Sequence, residues 1–324
     1  MRSRLRDIWR RVTPPSWRGA VVLLYHRIGP ADVDPWRLAV TPEHFSEHLD
    51  ILRRSAHTIT VEDLRVALDD WRIPARSVAI TFDDGYADLV SEALPRLDRA
   101  DLRATAFVVS HAIGRDREFW WDEVERALLG PEIPRDPLRL EMTDRPTTID
   151  PSATGSRGEL HRRVWAIARA LPPDRRDALA AAVLQWAGLT LTPRPARRTL
   201  TSDEFDVLAN SDRVEIEAHT ADHAWLAGLD EAELTSQIES GRSEIERRLG
   251  RPVRSLAYPH GGPDDIGAAP TIARQAGFQT AFMATGGTVR KRADRMRLPR
   301  IFVDDVDGEG FARLLWRRAG IRAS

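Results

Sequence analysis

Cysteine is absent from the sequence, lysine occurs only at Lys291, and no apolar run is long enough to cross a lipid bilayer. Without cysteine the chain can form no disulfide and can use no thiolate as a nucleophile or a metal ligand. A bound metal must therefore be held by histidine and by carboxylates. A membrane-spanning helix needs roughly 18 consecutive apolar residues, so none is expected.

A strong charge of either sign is also missing. The 324 residues carry a formal net charge of −1, so no global field indicates nucleic acid, and no nucleic-acid partner is expected. Hydrophobic residues make up 42% and charged residues 30%, which is a globular composition. The length suffices for one large α/β domain or for two smaller ones.

The first 18 residues form a basic segment that we treat as a tail. The start, "MRSRLRDIWRRVTPPSWRGA", lacks the apolar stretch of about 7–15 residues that a secretory signal contains, so a cytoplasmic location is expected. Its arginines alternate with Leu5, Ile8 and Trp9 and could form an amphipathic helix on an anionic bilayer, at the inner face of the membrane. An ordinary frayed terminus is the alternative interpretation.

Short apolar runs alternate with helical patterns along most of the chain. Strands that are apolar throughout indicate a parallel sheet covered on both faces, either open or closed into a barrel. In a barrel, the reactive side chains collect where strands end and βα loops begin. The predicted strands cover residues 20–28, 57–60, 77–82, 104–110, 214–218, 255–259, 280–284 and 297–302.

One segment departs from this alternation. Residues 130–200 contain turn-rich stretches followed by two helical patterns, over 159–171 and 174–188. They predict a mainly helical insertion in one βα loop of a barrel that spans 19–305. A C-terminal helix is expected over 306–324.

Polar side chains follow several of the predicted strands. Asp83 and Asp84 follow the apolar run in "ITFDDGY", and His219 and His223 are separated by three residues in "EIEAHTADHAW". Two histidines with one carboxylate form a common ligand set for a catalytic divalent metal, and positions i and i+4 converge if the chain turns helical. The spacing alone is a weak signal: His44 and His48 share it within an amphipathic pattern, where we expect a solvated face.

The two aspartates allow two interpretations. Successive side chains of an extended segment point to opposite sides, so one carboxylate can bind a metal while the other acts as a base. The alternative is a solvated turn, because Asp-Gly is a frequent turn dipeptide.

Taken in order, "TFDDGY", "HTADH" and "LAYPHG" resemble the motifs of the polysaccharide deacetylases (carbohydrate esterase family 4). "LLYHRI" and "FWWDEVE" are similar to the branch that acts on exported or cell-surface glycans. The resemblance covers roughly residues 20–303, with the insertion outside the shared core. It implies a distorted (β/α)7-type barrel and metal-dependent removal of acetyl groups from an N-acetylated glycan, which can be lipid-linked.

The resemblance also implies roles for individual residues. Asp84, His219 and His223 would bind one divalent metal, with zinc expected, and Asp83 would be the general base. Thr220 would support the ligand loop by hydrogen bonding. Substrate would be bound in a groove by Tyr86, Tyr258, Pro259, His260, Gly261 and Arg300.

The sequence departs from the family pattern at two places. Many members have an arginine where this chain has Ala257; Arg300 is a candidate to reach Asp83 instead, or it pairs with another acid. No Leu-x-His occurs near the C-terminus, where many members keep the general acid. His26 fits that role, and a core histidine bonded to a neighbouring strand is the alternative.

Two other functions remain open from the sequence. A related amidohydrolase would act on a small cyclic amide, and an inactive module would only bind glycans. The metal motif is intact, which favours the deacetylase over both.

Overall fold

The structure is a computed structural model that describes residues 19–30, 32–141, 146–153 and 155–318. The basic tail predicted over 1–18 lies outside the described residues, as does the end of the predicted C-terminal helix, 319–324. Within the described ranges, every helix is too short or too polar to traverse a bilayer.

The described part of the chain contains thirteen strands, and the longest are buried along their whole length. Their bounds are β1 Ala20–Tyr25, β2 Arg27–Ile28, β3 Ala39–Val40, β4 His57–Ile59, β5 Ser77–Phe82, β6 Ala104–Val108, β7 Leu138–Leu140, β8 Thr147–Ile149, β9 Val214–Ala218, β10 Ser255–Ala257, β11 Thr280–Met283, β12 Leu298–Pro299 and β13 Ile301–Phe302.

The main sheet is a nearly closed barrel of parallel strands. Its order is β12-β11-β10-β9-β6-β5-β1-β13, and β4 pairs with β5 outside this path. The two end strands are separated in the chain by Arg300 alone, so one split strand pairs with β11 on one side and with β1 on the other. Counted as one, they give seven positions around the ring. This confirms the predicted distorted (β/α)7-type barrel.

Helices cover the outside of the barrel and form the insertion. The first two begin directly after Thr41 and Thr60, whose side chains accept a hydrogen bond from a backbone N–H of the first turn. The helices are α1 Pro42–Ser55, α2 Val61–Asp69, α3 Leu94–Ala100, α4 Trp120–Leu128, α5 Arg157–Arg169, α6 Pro173–Trp186, α7 Ser202–Ala209, α8 Glu231–Leu249, α9 Ala269–Gln275 and α10 Gly308–Arg318. Single helical turns lie at Leu89–Ala93, Ser110–Ala112, Pro151–Ala153, Pro195–Arg197 and Leu226–Gly228.

The expectation of a solvated histidine face on α1 is wrong for His48. Its side chain is fully buried, its Nε2–H donates to the Val306 carbonyl at 2.7 Å, and its ring stacks on Phe311 at 4.1 Å. His44, on the same face, is partly exposed and contacts Asp305 at 2.7 Å. The cause is tertiary, because α10 packs on α1, and local sequence around α1 does not reveal that cover.

The insertion lies between β6 and β9 and has an apolar core of its own. The helices predicted over 159–171 and 174–188 are present as α5 and α6, preceded by the antiparallel hairpin β7–β8. The predicted start at 130 is too late, because α4 packs against both helices. The second core therefore draws on residues from Phe119 onward, besides Tyr86, Val109 and Ala112 from the barrel's loops.

Candidate metal centre and active site

Asp83 and Asp84 follow β5 at the carboxyl end of the barrel. The backbone turns sharply there, with φ of 73° at Asp84 and 95° at Gly85. A Cβ at position 85 would lie 2.9 Å from a Val108 methyl group, so the turn needs glycine for space as well as for its positive φ. The two carboxylates do have different partners, as expected, but a left-handed turn separates them rather than the alternation of an extended strand.

Asp84, His219 and His223 form one buried group that could hold a metal ion. Asp84 Oδ1 lies 3.3 Å from His219 Nε2 and 3.5 Å from His223 Nε2, and it has no hydrogen-bond partner. A buried oxygen without a partner, facing two imidazole nitrogens, fits a divalent cation that accepts nitrogen and oxygen ligands. The sequence therefore named three residues that the fold brings together.

The His219 ring is oriented by the backbone. Its Nδ1–H donates to the Ala257 carbonyl at 2.8 Å, which turns Nε2 toward the ligand group. Burial lowers the pKa of His219, but the charges of Asp83 and Asp84 outweigh it, so the net pKa is raised. The two carboxylates thus make this part of the cavity favourable for positive charge.

The ligand loop, residues 219–223, is not helical. The sequence predicted that the two histidine side chains would converge if the chain turned helical there, and they converge without a helix. Thr220 and His223 both have left-handed backbones, with φ of 65° and 53°, and the two histidine rings lie 5.0 Å apart. The expected side-chain hydrogen bond of Thr220 is not made, since its buried Oγ1 has no partner. Its carbonyl accepts instead from the Ser110 N–H at 3.2 Å.

Asp83 is paired with Arg300. Arg300 Nη1 and Nη2 each donate to one oxygen of Asp83 at 2.6 Å, and both side chains are buried. Burial raises the pKa of Asp83, but the positive charges of Arg300 and His219 outweigh it and the net pKa is lowered. Of the two partners that the sequence allowed for Arg300, the structure shows Asp83. Its part in binding substrate, predicted from the sequence, stays a prediction.

His26 lies between β1 and β2, and its ring lines the same cavity as the ligand group. Its Nδ1 has no hydrogen-bond partner, and its ring is 5.6 Å from that of Phe302. Burial lowers the pKa of His26 although Asp84 and Asp83 oppose the shift. The location suits a group that exchanges a proton with substrate, and the role of general acid stays a prediction.

The predicted groove residues separate into two sets. Tyr258 and His260 line the cavity. Pro259 and Gly261 do not; they shape the turn, in which the Gly261 N–H donates to the Pro259 carbonyl at 2.7 Å. Gly261 has a φ of 69°, which fits this turn, and the contact of both residues with substrate stays a prediction.

The expectation for the Tyr86 side chain is wrong. Tyr86 is buried in the core of the insertion and does not line the cavity. Its hydroxyl donates to Asp122 Oδ2 at 2.6 Å and accepts from Trp121 Nε1 at 2.8 Å. These bonds turn the Tyr86 ring away from the cavity while they hold Trp121, which does line it.

The cavity, of about 250 Å³, also has walls that the sequence did not assign. The insertion contributes Trp165 and Arg169 from α5. The Trp165 ring lies 4.5 Å from that of Trp36 and 5.8 Å from His260, and the Trp121 ring is 4.6 Å from His223. Trp121 belongs to the "FWWDEVE" stretch, whereas Trp165 has the pattern of any apolar position of an amphipathic helix. The remaining lining residues missed are Leu24, Leu38, Ala284 and Phe302.

Comparison with known proteins supports the family resemblance that the sequence motifs indicated. A family model described as polysaccharide deacetylase matches residues 72–131 and 186–281, which include both aspartates and both ligand histidines. The chain belongs to the polysaccharide deacetylase family. The unmatched residues between the two stretches contain the β7–β8 hairpin, α5 and nearly all of α6. The unmatched residues lie within the predicted insertion, but residues 186–200 of the predicted range fall inside the second matched stretch.

Individual relatives are more distant. YxkH of Bacillus subtilis, which carries the name of a polysaccharide deacetylase, is 32% identical over 95 residues, or 29% of this chain and 33% of that protein. The chain therefore matches about a third of the length of this curated relative.

Two solved structures share the fold over almost their whole length. The deacetylase PplD of Streptococcus pyogenes, solved in complex with acetate, has a TM-score of 0.59 at 16% identity and covers 92% of this chain and 98% of that one. IcaB from Ammonifex degensii has a TM-score of 0.57 at 18% identity, covering 93% and 97%. These similarities confirm the barrel.

Proposed function

We propose that this protein removes acetyl groups from N-acetylated sugar units of a polysaccharide or oligosaccharide, with a divalent metal. The observation that carries the proposal is the division between two adjacent carboxylates. Asp84 faces two histidines without a hydrogen-bond partner, whereas Asp83 is held by Arg300. One carboxylate is thus free to bind a metal, and the other is kept ionised beside it.

Zinc is the metal that we propose. Two imidazole nitrogens and one carboxylate oxygen are a ligand set of catalytic zinc sites, which keep further positions open for water and substrate. A divalent cation held by Asp84, His219 and His223 would supply Lewis-acid chemistry, polarising the acetamide carbonyl and acidifying a water molecule.

Asp83 would accept the proton of the attacking water. Its Oδ2 lies 3.8 Å from His219 Nε2, so it borders the ligand group, and the Arg300 pair keeps it in the basic form. The water oxygen forms a bond to the carbonyl carbon. The carbon–nitrogen bond then breaks, with the sugar amine as the leaving group and acetate as the other product. An amine needs a proton to leave, and His26, on the wall of the same cavity, is the donor that we assign.

The sugar would bind against the aromatic wall made by Trp36 and Trp165. Indole rings present an apolar face to a ligand, and this pair lies beside His260 at the edge of the ligand group. The bound acetate of the Streptococcus pyogenes relative is the product that an N-deacetylase releases. It supports, for this chain, a cavity built for an acetyl group.

The test is acetate release from N-acetylglucosamine oligomers by the protein loaded with zinc or cobalt. Asp83→Asn is expected to lower kcat roughly 10²- to 10⁴-fold and to retain its metal, because Asp83 is outside the ligand set. The proposal is refuted if no acetylated sugar yields acetate and Asp83→Asn does not slow the turnover of any other substrate. Hydrolysis of a small cyclic amide would favour an amidohydrolase, and binding of oligomers without turnover an inactive module.

A further inference from the structure

We propose that Arg176, which belongs to the helical insertion, is a positioning residue for the metal ligand His223. The inference rests on the proposed metal site. It gives the insertion a second role besides lining the cavity. Arg176 lies outside the two stretches that the family model matches, whereas the ligand loop whose shape it fixes lies within the second stretch.

The guanidinium of Arg176 reaches from α6 to the backbone of the ligand loop. Its Nη1 donates to the carbonyl of His223 at 3.1 Å, and its Nη2 donates to the carbonyl of Asp222 at 2.7 Å. The two nitrogens of one rigid fork therefore hold two consecutive peptide groups, one of which belongs to the metal ligand itself.

The loop needs support at this place. His223 has a φ of 53°, in the left-handed region that residues with a side chain rarely adopt. Such a conformation persists only where the surroundings stabilise it. If the backbone at His223 relaxed, its imidazole would leave the position 3.5 Å from Asp84 Oδ1.

The two halves of the loop are held by different parts of the molecule. The first half is held by α8, where Gly241 packs so closely on Thr220 that a Cβ would come within 2.5 Å of its carbonyl carbon. Gln237 binds the next two residues, accepting from the Ala221 N–H at 3.0 Å and donating to the Asp222 carboxylate at 2.7 Å. At the His223 end, Arg176 supplies the side-chain contacts to the carbonyls.

The surroundings of Arg176 direct its guanidinium to these two carbonyls. Its side chain is buried, and its guanidinium lies 5.5 Å from the centre of the Trp120 ring. The nearest carboxylate that pairs with it, that of Asp177, is 4.0 Å from Nε and is bound at 2.7 Å by Arg115. A buried cation directed at two carbonyls is costly unless those bonds are made, which favours a specific role for the fork.

The experiment compares Arg176→Met and Arg176→Lys with the unaltered protein by cobalt(II) titration, following affinity and the visible spectrum of the bound ion. Removing a group that orients a metal ligand typically weakens binding roughly 10- to 100-fold. We expect Arg176→Met to lose that much affinity and to change the cobalt spectrum, since the geometry at His223 changes. Arg176→Lys should be intermediate, because an ammonium group donates without the fork. Arg163→Met, which removes an exposed arginine from α5, should match the unaltered protein.

Unfolding of the metal-free proteins separates this role from a structural one. If Arg176→Met and Arg176→Lys bind cobalt with unchanged affinity and spectrum, the inference is wrong, even if they unfold at lower temperature. If Arg176→Met does not fold, the affinity of Arg176→Lys decides by the same criterion. If the unaltered protein binds no cobalt, the metal site itself fails, and the inference with it.

Discussion

A buried carboxylate needs a cation near it to stay ionised, and Asp83 obtains that cation from Arg300. Position 257, where the family resemblance led us to expect an arginine, is an alanine whose carbonyl orients His219. Arg300 lies where the last strand of the barrel is split, and its side chain enters the barrel to hold Asp83. The positive charge beside Asp83 therefore comes from the split last strand and not from position 257. A departure from a motif at one position is no sign of lost activity when the fold can supply the same charge from elsewhere.

His48 shows how burial of a single residue makes stability depend on pH. Burial lowers its pKa to about 4, against the opposing effects of the Val306 hydrogen bond and the carboxylates of Asp305 and Asp307. The unfolded chain, with a histidine pKa of about 6.5, binds more protons between these values. The contribution of His48 is therefore complete above about pH 6.5 and is lost as the pH falls toward 4.

We predict that lowering the pH from 7.5 to 4.5 reduces the contribution of His48 to the free energy of unfolding by about 2–3 kcal/mol. The measurement is urea unfolding at both pH values for the unaltered protein and for His48→Gln, whose amide can still donate to the Val306 carbonyl. Because His161 and His260 also have lowered pKa values, only the difference between the two proteins is informative. Equal losses in both would contradict the prediction.

At the scale of elements, α5 makes the insertion part of the wall of the cavity beside the ligand group. Trp165 lies with Trp36 on one wall, and Arg169 from the same helix covers the rings of Trp165 and Trp225 at 5.3 and 4.6 Å. Arg169 also pairs with Asp265 at 3.2 Å, so α5 is attached to the loop that follows the third motif. The wall is thus built by two segments that are far apart in the sequence.

We predict that Trp165→Ala weakens binding of an N-acetylated oligomer and leaves the chemical step nearly intact. Loss of a packed aromatic face is worth about 0.5–1.5 kcal/mol, which corresponds to a rise in KM of roughly 2- to 10-fold. Steady-state kinetics of acetate release would separate KM from kcat. Trp71→Ala is the matched control, because Trp71 is exposed in the turn before β5, at the other end of the barrel from the site. An unchanged KM, or an equal loss in the control, would exclude a sugar platform at Trp165.

Most elements could be predicted from the sequence because their signals are local. β5 and β9 have the expected bounds, since apolar runs end at polar motifs. The split of the last strand around Arg300 was not predicted, because "RLPRIF" is one continuous pattern and only the pairing with two different neighbours divides it. The start of the insertion was misplaced for a related reason: α4 follows a barrel strand in the sequence, but its partners are α5 and α6.

At the scale of the whole molecule, Asp84, His219 and His223 could be named because their motifs follow strand ends, where parallel strands bring loops together, and because those motifs resemble the motifs of a known family. Trp165 and Arg176 could not, since both are on helices of the insertion, and nothing in their neighbouring residues shows which way the insertion folds back. The sequence thus predicts the group that could hold a metal ion. The residues that shape the cavity and hold the ligand loop emerge only from tertiary packing.

Metal binding should stabilise the entire fold, because the three ligands come from loops after β5 and β9 and meet only in the folded chain. A ligand that binds only the folded state adds about 2.7 kcal/mol at a free concentration of 100 times Kd. We predict that zinc raises the unfolding temperature and that a chelator reverses the increase.

The control for that prediction is Asp84→Asn, which removes the negative charge of the ligand group. It should show little or no shift with zinc, yet the metal-free variant should unfold at the same temperature as the metal-free parent or higher. The reason is that Asp84 and Asp83 are adjacent buried carboxylates, and Arg300 binds only Asp83, so Asp84 is costly to bury without a cation. An equal zinc shift in parent and variant would place the metal elsewhere on the protein. A metal-free variant that is much less stable would show that Asp84 has a structural task which the present contacts do not account for.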